Sequence, residues 1–275
     1  MSRLVLSLTT VPPRFPYVAE NLSALLGQSA QIDAINLYVP RSYRRFSYAP
    51  SDLPRLPEGV NLRLVEQDYG PATKVLPAVQ EYRDQDAMIL FCDDDKVYDR
   101  GWAQRFVDAA RMRPDHAICE EAGHLAMPHY AGDGWVSNRD PQAKFREKNL
   151  GYRLRRAASF GRWKPSKAVS AGYVDILEGW GGVLVRPEFF DAFAYDIPDV
   201  LWTVDDVWLS GCLERKGVPI WLNLEDKVRS KGNSNEVKGA ALRNFVYQGH
   251  NRIEANRACI RYFRETCGIW GGAAA

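Results

Sequence analysis

Three consecutive carboxylates, Asp93-Asp94-Asp95, follow directly on an almost wholly apolar run, Ala87 to Cys92. Such a run reads as a strand covered on both faces, and in open α/β sheets ligands bind outside the carboxyl ends of the strands. Adjacent carboxylates repel one another unless a cation or basic groups offset the charge. In an extended segment Asp93 and Asp95 point one way and Asp94 the other, so the i, i+2 pair can face one divalent ion. Hard Mg²⁺ or Mn²⁺ accepts such oxygens and shares its shell with substrate phosphates. An acidic turn or a helix cap uses the same residue types with no ligand.

A second acidic cluster lies in Trp202-Thr203-Val204-Asp205-Asp206-Val207-Trp208. Thr203 with Asp206 has capping-box spacing, and acidic residues suit a first helical turn. A cap needs neither both aspartates nor the flanking tryptophans. A carboxylate set between aromatic side chains is also a candidate general base, because partial desolvation raises its pKa. Between the two clusters lies Glu178-Gly179-Trp180-Gly181-Gly182. Its glycines allow close approach of backbone or ligand, and Trp180 could stack on a sugar face or a base; a tight turn explains the glycines equally. The chain has neither a GxGxxG nor a GxxxxGK[ST] signature, so NAD-dependent and P-loop chemistries lose support. Cys119, His124 and His129 lack a fourth zinc ligand at suitable spacing and read as incidental.

These residues must be positioned by alternating short apolar runs and amphipathic stretches, the pattern of β-α units feeding a mostly parallel sheet. Strands are expected at Leu4 to Leu8, Ile35 to Val39, Val60 to Val65, Ala87 to Cys92 (the sheet centre), His116 to Cys119, Tyr173 to Leu177, Gly182 to Val185 and Pro219 to Leu222. Helices are expected at Tyr17 to Gln28, Lys74 to Tyr82, Trp102 to Met112, Val204 to Lys216 and Gln248 to Arg264. Regular periodicity is lost from about Gly123 to Gly172, a loop or insertion of a length that is usually functional.

The 275 residues carry 36 Lys+Arg against 34 Asp+Glu, a net charge of +2 that speaks against a general nucleic-acid binder. At 46% hydrophobic and 25% charged, the chain is ordinary for a globular protein and too rich in core formers for disorder. The expected organisation is one domain over 1–275, with the insertion at about 123–172 and a helical segment at about 240–270. The apolar stretch at the start is too short for a signal peptide. Five scattered cysteines without a CxxC pair suit reduced thiols and a cytoplasmic setting.

The ordered series Ser7-Leu-Thr9-Thr10-Val-Pro12-Pro-Arg14, Asp68-Tyr-Gly70-Pro-Ala-Thr73-Lys74, Phe91-Cys-Asp93-Asp94-Asp95, Glu178-Gly-Trp-Gly-Gly182 and Val204-Asp205-Asp206-Val207 resembles bacterial glycosyltransferases of the GT-A fold. It is also similar to the β-1,3-galactosyltransferase-like enzymes, over roughly residues 4 to 222. The resemblance implies a single Rossmann-like α/β domain that moves a sugar from a nucleotide-sugar donor, most readily a UDP-sugar, to an acceptor hydroxyl with inversion. The acceptor it implies is a saccharide or lipid-linked saccharide, in surface polysaccharide or glycoconjugate synthesis. Asp93 and Asp95 match the DXD motif that holds Mn²⁺ or Mg²⁺ on the donor diphosphate, and Asp94 matches a ribose contact. Thr9, Thr10 and Arg14 match the loop that receives the nucleotide. Lys74 matches a basic donor contact, although chemically it can offset either phosphates or aspartates. Glu178, Trp180, Gly181 and Gly182 fall where sugar or acceptor binds. Asp206 matches the catalytic carboxylate; Asp205 stands where Glu is more usual, which leaves the base open between the two. His250 is the remaining histidine available as a late metal ligand, although Tyr247 to His250 can equally start a helix.

Two basic stretches complete the reading. Lys227, Arg229 and Lys231 could close over a leaving diphosphate or be an ordinary solvated loop. Residues 144–167 hold nine basic residues against Glu147 alone, interleaved with Phe145, Leu150, Tyr152, Leu154, Phe160 and Trp163. Such a segment can lie on an anionic membrane at its inner face, receive a phosphorylated acceptor, or be a surface insertion. The rival functions are a sugar nucleotidyltransferase, which usually has a Gly-rich loop where this chain has Thr9-Thr10-Val11-Pro12-Pro13-Arg14, and a sugar- or nucleotide-binding module without turnover.

Overall fold

Eight segments with apolar alternation or fully apolar runs join into one sheet. They are Arg3–Thr9 (β1), Ala34–Pro40 (β2), Val60–Val65 (β3), Ala87–Cys92 (β4), Ala117–Cys119 (β5), Gly172–Val174 (β6), Val183–Val185 (β7) and Ile220–Leu222 (β8). The structure, a computed structural model, describes residues 2–147, 149–160, 162–163, 165–228, 231–232 (backbone only) and 245–271. The strand order is β6-β8-β5-β7-β4-β1-β2-β3. β1 is parallel to β2 and β4, β2 to β3, and β5 to β8, whereas β7 runs antiparallel to β4 and β5, and β6 to β8. The fold is the expected α/β class with a mostly parallel central sheet flanked by helices.

All six residues of β4 are buried, as its sequence requires of a central strand. Successive side chains point to opposite faces. Leu90 and Cys92 join Leu6, Leu8 and Leu37 in one apolar cluster, while Ile89 and Phe91 join Val5 in another. The first cluster is closed by the helices Val18–Leu26 (α1) and, further along the chain, Trp102–Met112 (α3). The second is closed by Leu76–Glu81 (α2), Asp205–Arg215 (α5) and Arg252–Cys267 (α6).

Several boundaries differ from expectation for local reasons. Pro77 suits only a first helical turn, so α2 starts after Lys74, which instead ends a 3₁₀ turn over Gly70–Lys74. α6 starts later than Gln248, because Asn251 caps the N–H groups of Ile253 and Glu254 while Glu254 accepts from the Asn251 N–H. The stretch 123–172 is not wholly irregular: it holds the nine-residue helix Leu150–Ala158 (α4) and pairs Lys144–Phe145 with Ala168–Ser170. The strand expected at Tyr173 to Leu177 divides, since Ile176–Leu177 leaves the main sheet to pair with Ala122–Gly123. Among the described residues no helix is long and apolar enough to cross a membrane. All five cysteines are free thiols.

Candidate active site

The parallel strands β1, β4 and β5 end at the same sheet edge at which antiparallel β7 begins. Val183 pairs with both Phe91 and Cys119, so the residues just beyond them converge: Thr10, Asp93 to Asp95, Glu120, Glu121 and the turn from Glu178 to Gly182.

After Cys92 the backbone turns at Asp94 and Asp95 into the short strand Lys96–Val97. The expected extended alternation is therefore replaced by a turn, and each carboxylate meets a different set of cations. Asp93 Oδ1 accepts from Lys74 Nζ at 2.6 Å. Asp94 is buried, accepting from Thr10 Oγ1 at 2.5 Å and from the Arg14 guanidinium. Asp95 lies 3.4 Å from both Arg14 Nη2 and Lys96 Nζ. Burial pushes Asp94 above the ordinary carboxylate range in spite of Arg14. Burial also works against the Asp93 charge, but Lys74 outweighs it and holds that carboxyl below the range. Thr9 turns away from this cluster, donating its hydroxyl to the Tyr38 carbonyl at 2.8 Å, so it ties β1 to β2 and is not placed as a donor contact.

Asp93 and Asp95 offer the hard oxygens a divalent ion takes, and Asp95 Oδ1 is buried without a hydrogen-bond partner. His250 is not brought into a ligand set with them. Its Nδ1 sits 3.1 Å from the Gln248 carbonyl of its own turn, and among the described residues no three His, Cys, Asp or Glu side chains are grouped to hold a metal. His124 instead contacts Asp175 at 3.2 Å and the Ala143 carbonyl at 2.9 Å.

Lys74 is the hub. Its side chain is 5% exposed, and its ammonium lies 2.6 Å from Asp93 and 2.8 Å from Asp205. Burial opposes its charge, but Asp205, Asp93 and Asp206 together raise its pKa. Of the two roles open to Lys74, the structure shows the one that offsets aspartates. Ser7 at the end of β1 fixes this position by donating to the Lys74 carbonyl at 2.6 Å.

Asp205 and Asp206 open α5, but the Thr203–Asp206 capping box does not form: Val204 occupies the cap position without a side-chain bond. Asp206 Oδ1 accepts instead from the Gly179 backbone N–H at 2.9 Å, and Oδ2 lies 3.5 Å from Arg252 Nη2. Nor do the tryptophans sandwich the carboxylate. The Trp202 indole N–H bonds the Asp68 carbonyl and that of Trp208 the Ala194 carbonyl, both within the protein interior. Burial, then the neighbouring Asp205 charge, pushes Asp206 up to about 7. A carboxyl so poised can take or give a proton near neutrality.

Asp206 faces a cleft of about 350 Å³ lined by His129, Tyr130, Glu178, Trp180, Val207, Arg252, Ile253 and Asn256. Glu178 accepts from Lys167 at 2.6 Å, from the Tyr130 hydroxyl at 3.2 Å and from the Trp180 indole at 3.0 Å, which holds the half-buried ring at the wall. Gly181 and Gly182 do not face this space. A Cβ on Gly181 would stand 2.5 Å from Glu121 Cγ, and one on Gly182, whose φ is +93°, 2.4 Å from the Trp102 ring. Their close approach is to protein, and they shape the turn that carries Trp180.

Lys227 is tied to Glu121 at 2.7 Å and to the Glu120 carbonyl, so it is not held as a free cation. Arg229, Lys148, Lys164 and the side chain of Lys231 lie outside the described residues, although the backbone of Lys231–Gly232 pairs with Lys96–Val97 beside the acidic turn. Arg252 and Tyr130 were not legible as site residues, because no local pattern marks either; Lys167 was visible only as part of a basic run.

No family model and no curated protein matches this chain. Solved structures that it resembles include that of S. aureus TarS, at a TM-score of 0.46 and 14% identity over 83% of this chain and 36% of that one. A second is S. aureus TarS 1–349, at 0.42 and 14% over 84% of this chain and 60% of that one. This chain thus spans 36% and 60% of those two chains.

Proposed function

We propose that this protein is a metal-dependent glycosyltransferase that moves a sugar from a nucleotide-sugar, foremost a UDP-sugar, to an acceptor hydroxyl with inversion, in the assembly of a surface saccharide. The observation that carries the reading is Asp206: a carboxyl with a pKa near 7, opening on a cleft with a tryptophan wall, and joined through Asp205 and Lys74 to the acidic turn at Asp93.

In this reading Asp206 takes the proton from the acceptor hydroxyl as that oxygen forms its bond to the anomeric carbon and the bond to the diphosphate breaks. The Gly179 N–H orients the carboxylate, burial and the neighbouring Asp205 charge raise its pKa, and Lys74 is ion-paired to Asp205. Trp180 offers a face for the acceptor ring, held by Glu178. Thr10 and Arg14 set the conformation of the acidic turn through Asp94. Asp93 and Asp95 are the residues that would hold Mn²⁺ or Mg²⁺, which when bound supplies positive charge against the leaving diphosphate.

The test is nucleotide release from a panel of UDP-, GDP-, CMP- and dTDP-sugars with Mn²⁺ or with EDTA. Metal-dependent release from one donor that is lost in Asp206→Asn supports the reading. Unchanged release by Asp206→Asn removes the assigned base, and neither release nor donor binding removes the transferase.

A further inference from the structure

Among the described residues α4 stands apart from the other α-helices because none of its nine residues is buried. At 3.6 residues per turn, Leu150, Leu154 and Ala157 share one face. Leu150 is 72% and Leu154 61% exposed, and Phe160, just past the helix, is 93% exposed. Arg153 borders that apolar face, while the opposite side, which carries Tyr152, Arg155 and Arg156, turns to the insertion: the Tyr152 ring lies 5.3 Å from Trp163, and Arg156 donates to the Tyr152 hydroxyl one turn back at 3.3 Å. Among the described residues no carboxylate pairs with Arg153, Arg155 or Arg156. Isolated exposed leucines need no explanation, but two on one helical face with a phenylalanine beside them, Arg153 at the edge and two more arginines on the same exposed helix, form a surface of mixed character. A nucleic acid would leave the leucines facing a phosphate backbone. A bilayer carrying anionic headgroups takes both halves, apolar side chains into the acyl boundary and guanidinium groups at the phosphates.

We propose that α4 docks this protein on an anionic lipid surface. The same insertion reaches the candidate active site, since Ala168–Ser170 pairs with Lys144–Phe145 and the preceding Lys167 is ion-paired to Glu178 in the cleft wall. Resting on the transfer reading above, this geometry makes the acceptor a saccharide presented at that surface on a lipid carrier. The membrane contact itself stands independently of that reading.

The experiment is co-sedimentation with phosphatidylcholine vesicles, plain or with about one-third phosphatidylglycerol, without donor or acceptor. Binding confined to the anionic vesicles and weakened by salt is expected. Leu150→Glu with Leu154→Glu should lower partitioning about tenfold or more, and Arg153→Ala about fivefold. Leu150→Ser with Leu154→Ser is the second variant if the first fails to fold, judged by circular dichroism. Equal binding by wild type and the leucine variants, or no binding to anionic vesicles, would each overturn the proposal. Donor turnover in solution, measured on the same variants, separates the two readings: lost vesicle binding with turnover intact touches the membrane contact alone.

Discussion

The Gly179 backbone N–H donates to Asp206 Oδ1 at 2.9 Å, and this bond aims the carboxylate of one element through the turn of another. A Cβ on Gly179 would stand 2.6 Å from Lys74 Nζ and 3.3 Å from Asp206 Oδ1. Gly179→Ala should therefore displace the lysine or the turn and cost about 1–3 kcal/mol of stability. Turnover should fall with it, because misplacing a catalytic group by about 1 Å can cost on the order of a hundredfold. Urea melts and donor turnover measured on the same preparation check both effects.

Replacing the proposed base gives a different signature. Asp206→Asn keeps the shape and an acceptor for the Gly179 N–H but cannot take a proton. Transfer should drop by about 10²–10⁴, the usual contribution of general base catalysis, with donor affinity retained. Calorimetric donor titration beside kcat separates the two quantities. A loss confined to Asp205→Asn would move the base by one residue.

The pH dependence has a defined sign. With Asp206 pushed up to about 7, base-dependent transfer should rise through that pH and level off above it. Stability should move the other way. Between the ordinary carboxylate pKa of 3.8 and about 7 the folded chain binds more protons at this site than the unfolded chain, so Asp206 erodes stability as pH rises through that window. Melting curves of wild type and Asp206→Asn against pH should diverge there and run parallel above it.

Lys74→Met tests the hub. It would leave Asp93 and Asp205 without their shared cation at a site where the lysine side chain is 5% exposed. Removing one partner of a buried ion pair costs about 3–5 kcal/mol, so a large loss of denaturation midpoint is expected. A change within about 0.5 kcal/mol, typical of surface positions, would show that the lysine is not the partner the geometry indicates.

Asp95→Ala addresses the acidic turn. With its carboxylate gone, Mn²⁺ should no longer strengthen donor binding, whereas Asp94→Asn should chiefly loosen the Thr10 and Arg14 contacts. Titration of UDP-sugar with and without EDTA distinguishes them. Retained Mn²⁺ dependence in Asp95→Ala would move the metal away from this turn.

The amino-acid sequence alone determined the α/β class, the central place of Ala87 to Cys92 and the carboxylates at its end. Those properties follow from period-2 and period-3.6 apolar spacing and from chain direction, which act within about 20 residues. It also marked Asp206, although as one of two aspartates and for a reason, the flanking tryptophans, that the fold does not use. The partners of the carboxylates lay beyond its reach. Lys74 meets Asp93 across 19 positions and Arg252 meets Asp206 across 46, and which charges meet is decided by strand order and by the turn at Asp94, not by spacing along the chain. Burial finished the site. The charge of Asp205 stands next to Asp206 in the sequence, but the burial that first raises the Asp206 pKa needs distant segments to exclude water, and that exclusion belongs to the packed tertiary structure.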